Sequence, residues 1–64
     1  MTAEGRRELR RLEGQSVHLA LLGGSRLDDV SLVSARAKTV WVFTNGQDVF
    51  VPAEDVIGFW PTAA

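Results

Sequence analysis

The sequence has no cysteine and only one histidine, His18, among its 64 residues. Without cysteine, the fold cannot be held together by disulfide bonds. A structural zinc site takes four cysteine or histidine ligands, so we expect neither a metal nor another cofactor. Small domains that lack these supports usually gain stability by oligomerisation. We therefore expect a homo-oligomer.

Long apolar runs are also missing. No segment approaches the roughly 18 apolar residues of a membrane span, and the opening residues MTAEGRRELRR lack the apolar core of a secretory signal. We expect a cytoplasmic protein without membrane contact. Seven basic and eight acidic residues give a net charge of -1, so the overall charge predicts no attraction to nucleic acid. Any such attraction must come from a local group of basic residues.

The composition is that of a globular chain, with 45% hydrophobic and 23% charged residues, and the length allows one domain, residues 1–64. Residues 2–13 predict a helix, because Thr2 can cap its first turn and good helix formers follow. Leu9 and Leu12 lie three residues apart and share one face. Since so short a helix is marginal alone, we expect these leucines to dock on the rest of the domain.

Four arginines of the predicted helix form two basic ridges, because residues four apart share one side of a helix. Arg6 lies with Arg10, and Arg7 lies with Arg11. The first interpretation is a solvated helix face whose charge is partly offset by the helix glutamates. The second is a nucleic-acid face made of these four arginines, since nucleic-acid binding depends on local positive charge.

From residue 15 onward the periodicity changes from helical to alternating, which predicts strands. The five predicted strands are QSVHLAL, RLDDVSLVSA, TVWVFT, QDVFVP and VIGFW, within residues 15–61. Asn45 and Gly46 predict a type I′ turn between the third and fourth strands, because both accept positive φ. Pro52 followed by acidic residues predicts one helical turn before the last strand.

Large apolar residues alternate on both sides of the predicted type I′ turn. If Val40 and Val42 point inward, Trp41 and Phe43 point outward, since successive strand residues face opposite sides of a sheet. The first interpretation of the aromatic residues is core, and the second is a subunit interface, where aromatic residues are enriched. The candidate interface residues are Trp41, Phe43, Phe50 and Trp60.

The order of a helix, four closely spaced strands, a helical turn and a short fifth strand is similar to that of the small Sm-like and Src-homology barrels. LLGGSRLDDVSLVSARAKTVWVF resembles the first three strands of the Sm and Hfq family, and VFVPAEDVIGFWP resembles that family's ending. The resemblance implies a mainly β fold, a small five-stranded Sm-like (Src-homology-3-like) barrel with an N-terminal α-helix. It also implies ring assembly and, in that family, binding of uridine-rich RNA.

The residues that bind RNA in the family have no counterpart here. SARAK and VPAED match neither the aspartate and asparagine pair nor the arginine-glycine motif of the Sm proteins. Pro52 and Ala53 stand where Hfq has a lysine-histidine pair. Asp29 stands where the second strand of the family has its bend glycine.

No group of residues predicts catalysis. His18 has no serine or aspartate at a spacing that supports acyl transfer, and we interpret Asp28 and Asp29 beside Arg26 as solvated charges near a turn. We expect a non-catalytic interaction module that self-associates and binds protein. The alternative is an RNA-binding Sm-like ring that uses the basic N-terminal helix.

Overall fold

A computed structural model describes residues 1–62 as one five-stranded antiparallel sheet preceded by a helix. The elements are helix α1 (Ala3–Arg10), strands β1 (Ser16–Leu21), β2 (Arg26–Ala35), β3 (Thr39–Thr44) and β4 (Gln47–Pro52), a 3₁₀ turn (Ala53–Asp55) and strand β5 (Val56–Pro61). The mainly β class and the predicted order of elements are confirmed. The last two residues of the predicted domain, 63 and 64, lie outside the described residues.

The strands are hydrogen-bonded in the order β4-β3-β2-β1-β5, and every neighbouring pair is antiparallel. Strands β4 and β5 are therefore the two edges of the sheet. They do not pair with each other within residues 1–62, so the sheet is not closed. The five strands are confirmed, whereas their closure into a barrel stays a prediction.

Strand β2 bends at Asp29, whose φ of 54° lies in the left-handed region. Few residues other than glycine adopt this conformation, and aspartate is one of those that tolerate it best. The register between β1 and β2 shifts at the same place, which marks a β-bulge. Beyond the bulge, Ser31 pairs with both β1 and β3, and the strand then continues along β3 as far as Ala35. The bend therefore falls where the resemblance places a bend glycine.

Helix α1 ends at Arg10, three residues earlier than predicted. The chain tightens there, with the Leu12 N–H donating to the Leu9 carbonyl at 2.9 Å in the i→i−3 pattern of a 3₁₀ turn. Gly14, with a φ of 87°, then reverses the chain, and its N–H donates to the Leu32 carbonyl at 2.8 Å. The tightening into a 3₁₀ turn thus ends the α-helix before the chain reaches Gly14.

The helix is attached to the end of β2 by both apolar and polar contacts. Leu9 is fully buried and Leu12 packs against the core, as predicted. The Nε–H of Arg10 donates to the Ala35 carbonyl at 3.0 Å, and the Ala35 N–H donates to a carboxylate oxygen of Glu13 at 2.8 Å. Two side chains from the helical region thus satisfy both backbone groups of Ala35, which fixes the helix relative to the sheet.

The buried core is entirely aliphatic. It consists of Leu9, Val17, Leu19, Val30, Leu32, Ala35, Val40, Val42, Val51, Ala53 and Val56. Of the aromatic residues, only Phe59 packs against it. Our first interpretation, that the aromatic residues form the core, is therefore wrong for Trp41, Phe43, Phe50 and Trp60. The physical reason is strand alternation, because the inward positions beside these residues are filled by smaller side chains.

Asn45 and Gly46 form the predicted turn with φ values of 53° and 75°. We expect Gly46→Ala to destabilise the fold by about 1 kcal/mol, because a left-handed conformation costs an L-residue with a Cβ roughly this amount. Urea unfolding followed by far-ultraviolet circular dichroism, at one fixed protein concentration, measures the change.

Gly58→Ala is the matched control for this substitution. Gly58 does not have positive φ, and an added Cβ would lie 3.7 Å from the Ala20 Cβ and from Cζ3 of Trp60, which is ordinary van der Waals contact. We expect Gly58→Ala to leave the free energy of unfolding unchanged or to raise it by about 0.5 kcal/mol through the lower entropy of the unfolded chain. Equal losses in the two variants would contradict the role assigned to the turn.

Candidate interaction surface

Three aromatic side chains project from the outer face of β3 and β4, and we call them the aromatic strip: Trp41, Phe43 and Phe50. Their exposed fractions are 36%, 44% and 61%. On the same strands, Val40 and Val42 are fully buried. The alternation predicted from the sequence is therefore confirmed, with the valines in the core and the large aromatic rings outside.

Two of the three rings of the aromatic strip, those of Trp41 and Phe50, are held in a fixed arrangement. Trp41 and Phe50 lie opposite each other on β3 and β4, with ring centroids 5.5 Å apart and planes inclined by 29°. The indole Nε1–H of Trp41 also donates to Oδ1 of Asp48 at 2.9 Å. Stacking and this hydrogen bond together orient the indole, so a partner that binds here meets rings that are already ordered.

The surroundings of the aromatic strip differ on its two sides. Toward the middle of the sheet, Phe43 pairs with Ser31 of β2 and Trp41 pairs with Ser34. On the other side, Phe50 lies on β4, which is an edge strand. The strip therefore extends to the edge of the sheet, where backbone hydrogen-bonding groups are open to another chain.

Trp60, the fourth candidate interface residue, lies apart from the aromatic strip. It is on β5, at the opposite edge of the sheet order from β4, and pairs with His18 of β1. The His18 and Trp60 ring centroids are 5.7 Å apart, and the Arg26 guanidinium carbon lies 5.1 Å from the Trp60 ring centroid. Trp60 therefore belongs to a second surface group with polar neighbours.

Asp28 holds this second group together, and we call it the Trp60 cluster: His18, Arg26, Asp28 and Trp60. Oδ1 of Asp28 accepts from Nη2 of Arg26 at 2.8 Å and lies 3.1 Å from Nδ1 of His18. The sequence interpretation of separate, solvated charges missed this cluster. Strict alternation separates neighbouring strand residues, whereas the bulge at Asp29 breaks the alternation and keeps the Asp28 carboxylate beside His18.

The Trp60 cluster lowers the pKa of the Asp28 carboxyl below its ordinary value. The hydrogen bond from Arg26 is the largest cause, and the positive charge of Arg26 and the contact with His18 act in the same direction. Slight burial opposes them by raising the pKa. Asp28 is therefore ionised at neutral pH, and its carboxylate can accept hydrogen bonds from Arg26 and from His18.

The four helix arginines have different surroundings. Arg10 is engaged with the Ala35 carbonyl, and Arg6 is half-buried, whereas Arg7 and Arg11 are exposed. Nη1 of Arg11 lies 3.6 Å from a carboxylate oxygen of Glu8, but both side chains are more than half exposed, so this ion pair contributes little. Three of the four residues of the predicted nucleic-acid face, Arg7, Arg10 and Arg11, are thus exposed, and of these Arg10 is held by its bond to the Ala35 carbonyl.

The β2–β3 loop brings further positive charge to the end of the helix. Arg36 directly follows Ala35, to which Arg10 is bonded, and both Arg36 and Lys38 are exposed. Of the seven basic residues in the chain, Arg26 lies outside this loop and outside residues 6–11. The structure therefore brings Arg36, the residue after Ala35, close to Arg10 of the helix, a proximity that the sequence analysis did not predict.

The remaining surface offers little chemistry. A groove of about 380 Å³ beside the start of the helix is lined by Met1, Thr2, Gly5, Glu54, Val56, Ile57 and Phe59. Within residues 1–62, no group of three histidine, aspartate or glutamate side chains is arranged to hold a metal ion. In the same described part, no helix has the length and hydrophobicity needed to cross a membrane.

Comparison of the chain with protein-family models and with curated proteins finds no match. The resemblance to the Sm-like barrels therefore stays a prediction that rests on the order and spacing of the elements.

The lowered pKa of Asp28 gives a prediction for Arg26. We expect Arg26→Gln to raise the Asp28 pKa toward its ordinary value, because the strongest donor and the nearest positive charge are both removed. NMR titration of the Asp28 carboxyl carbon measures this directly. Arg36→Gln, which removes the same charge from the β2–β3 loop, should leave the Asp28 pKa unchanged.

The same pKa shift fixes the sign of the pH dependence of stability. Because the folded-state pKa is depressed, the stabilising contribution of Asp28 is fully present above the unfolded-state pKa of about 3.9 and is lost as pH falls through the folded-state pKa. Arg26→Gln should therefore reduce the acid-side pH dependence of the free energy of unfolding. An Asp28 pKa that is the same in wild type and Arg26→Gln would contradict this explanation.

Proposed function

We propose that this protein is a non-catalytic interaction module of the small Sm-like or Src-homology-3-like barrel class, and that it self-associates through the aromatic strip. The observation that carries the proposal is the outward orientation of Trp41, Phe43 and Phe50 beside a complete aliphatic core. Large adjoining apolar groups on an outer face are typical of surfaces that another chain covers. Self-association provides that cover with a second copy of the same surface.

Three features of the strip favour a protein partner. The rings of Trp41 and Phe50 are ordered before binding by their stacking and by the bond from Trp41 to Asp48, which lowers the entropy lost on association. Tryptophan and other aromatic residues provide much of the binding energy at protein interfaces. A net charge of only -1 also leaves little electrostatic repulsion between copies.

The small size of the chain supports the same proposal. A domain near 60 residues buries only about 60% of the surface that its unfolded chain exposes. Here the core consists of leucine, valine and alanine, so the aromatic side chains contribute their apolar surface outside it. Covering the aromatic strip with another copy would add the burial that the isolated domain lacks.

The test is a measurement of mass against concentration by sedimentation velocity and native mass spectrometry. We expect a concentration-dependent oligomer in the wild type. We expect Phe50→Ser to weaken association by at least about tenfold, because an exposed interface ring is lost without disturbing the core. A wild-type chain that stays monomeric up to about 1 mM would overturn the proposal.

Leu22→Ser is the matched control. Leu22 is 65% exposed, close to the 61% of Phe50, but it lies in the β1–β2 turn and outside the aromatic strip. Leu22→Ser should leave the association constant unchanged. A loss of association as large as that of Phe50→Ser would show that general surface hydrophobicity, rather than the strip, is responsible.

The second candidate function is RNA binding through the basic helix, in an Sm-like ring. It is favoured by the hydrogen bond from Arg10 to the Ala35 carbonyl, because Arg36 directly follows Ala35 and this bond brings it close to the helix. Clustered cations of this kind bind phosphates without regard to the net charge of the chain. Arg7 and Arg11 are the best residues to test, since within residues 1–62 the contact of their guanidinium groups is one exposed ion pair, between Arg11 and Glu8.

We expect uridine-rich single-stranded RNA, if it is a ligand, to bind more weakly as salt is added. The Arg7→Gln and Arg11→Gln double variant should reduce the slope of log affinity against log salt by about one for each arginine removed. Titrations followed by fluorescence anisotropy of labelled RNA measure the slope. Arg26→Gln, which removes a charge from the Trp60 cluster, is the control, and absence of binding at low salt would exclude this second function.

A further inference from the structure

Two groups of opposite hydrogen-bonding character face the same ring nitrogen of His18. Oδ1 of Asp28 lies 3.1 Å from Nδ1, and the backbone nitrogen of Asp29 lies 3.3 Å from it. The carboxylate can only accept a hydrogen bond, whereas the backbone N–H can only donate one. Both therefore compete for Nδ1.

The two contacts require different forms of the imidazole. The Asp29 N–H needs a lone pair on Nδ1, which exists only in the neutral ring with its proton on Nε2. Asp28 needs a proton on Nδ1, which the imidazolium always carries. When Nδ1 gains a proton, His18 therefore loses the hydrogen bond from the Asp29 N–H and gains one to the Asp28 carboxylate.

We propose that His18 is a proton-operated latch on the bend of β2. The neutral ring accepts from the Asp29 N–H and supports the bulge, and the imidazolium releases this N–H and donates to Asp28 instead. Histidine side chains serve as pH-responsive groups in proteins because the imidazole can gain and lose a proton. The device is separate from the aromatic strip, and its test does not depend on self-association.

The groups that face His18 allow both states. Asp28 and Arg26 come from β2, together with Asp29, and the Trp60 ring comes from β5. When His18 is neutral, Asp28 keeps its bond to Nη2 of Arg26 at 2.8 Å, so the carboxylate is not left without a partner. Because the Asp28 pKa is lowered, its carboxylate remains ionised throughout the range in which histidine ordinarily titrates.

The latch acts on the one position of the sheet where the backbone is left-handed without glycine. The Asp29 amide that reaches His18 belongs to the residue with φ of 54°. Its hydrogen bond crosses from β2 to β1 at the bulge, where the regular ladder is interrupted. Loss of this bond loosens the bend and leaves the flanking ladder pairs in place.

NMR of the isotope-labelled full chain tests the latch directly, since His18 is the only histidine. Long-range proton–nitrogen spectra between about pH 5 and 8 identify the protonated ring nitrogen. We expect the neutral ring to carry its proton on Nε2, and the Asp29 amide shift to change with the same midpoint as the ring. We also expect the Asp29 amide to lose protection from hydrogen exchange on the acid side.

His18→Gln is the control variant, because glutamine does not titrate in this range. The pH-dependent shift of the Asp29 amide should disappear in His18→Gln. A neutral wild-type ring with its proton on Nδ1 would overturn the proposal, because both forms would then donate to Asp28. The position of the proton on the neutral ring is measured in the wild-type protein, so this measurement tests the proposal even if His18→Gln fails to fold. The proposal would also be overturned if the Asp29 amide shift did not change with the wild-type ring titration. It would equally be overturned if this shift changed with pH to the same extent in His18→Gln.

Discussion

The bend of strand β2 at Asp29 is the constraint on which the other contacts depend. A straight strand would keep one face along its length, whereas the bulge lets β2 pair first with β1 and then with β3. The first half positions Arg26 against Trp60 of β5 and Asp28 against His18 of β1, and the second half ends at Ala35, where the helix attaches. The Trp60 cluster, the helix and the aromatic strip are therefore all placed by one strand.

The core and the aromatic strip are two faces of the same pair of strands. Val40 and Val42 fill the interior because Trp41 and Phe43 alternate with them, and the Asn45-Gly46 turn fixes the register of the hairpin. A slip of one residue would bury the rings and expose the valines. Because one register places the valines inside and the rings outside, the stability of the core and the candidate surface both depend on it.

Local signals in the sequence predicted most of the elements but not the contacts between distant segments. The strands followed from alternation, and the hairpin turn followed from two residues that accept positive φ. The outward direction of the aromatic strip followed from the same alternation, although the preference for aromatic residues in the core pointed the other way. The Trp60 cluster was not predictable, because an aspartate in the left-handed conformation has no strong signature. The bond from Arg10 to Ala35 joins residues 25 positions apart, and no local pattern encodes it.

The position of the two tryptophans has a consequence for spectroscopy. Trp41 and Trp60 are 36% and 39% exposed, and neither lies in the aliphatic core. Intrinsic fluorescence in this protein therefore reports mainly on the outer face of β3 and on the edge strand β5, and its change on unfolding is not a measure of core packing. A fluorescence transition that coincides with the backbone transition would indicate two-state unfolding, whereas one that differs would indicate that a further state is populated.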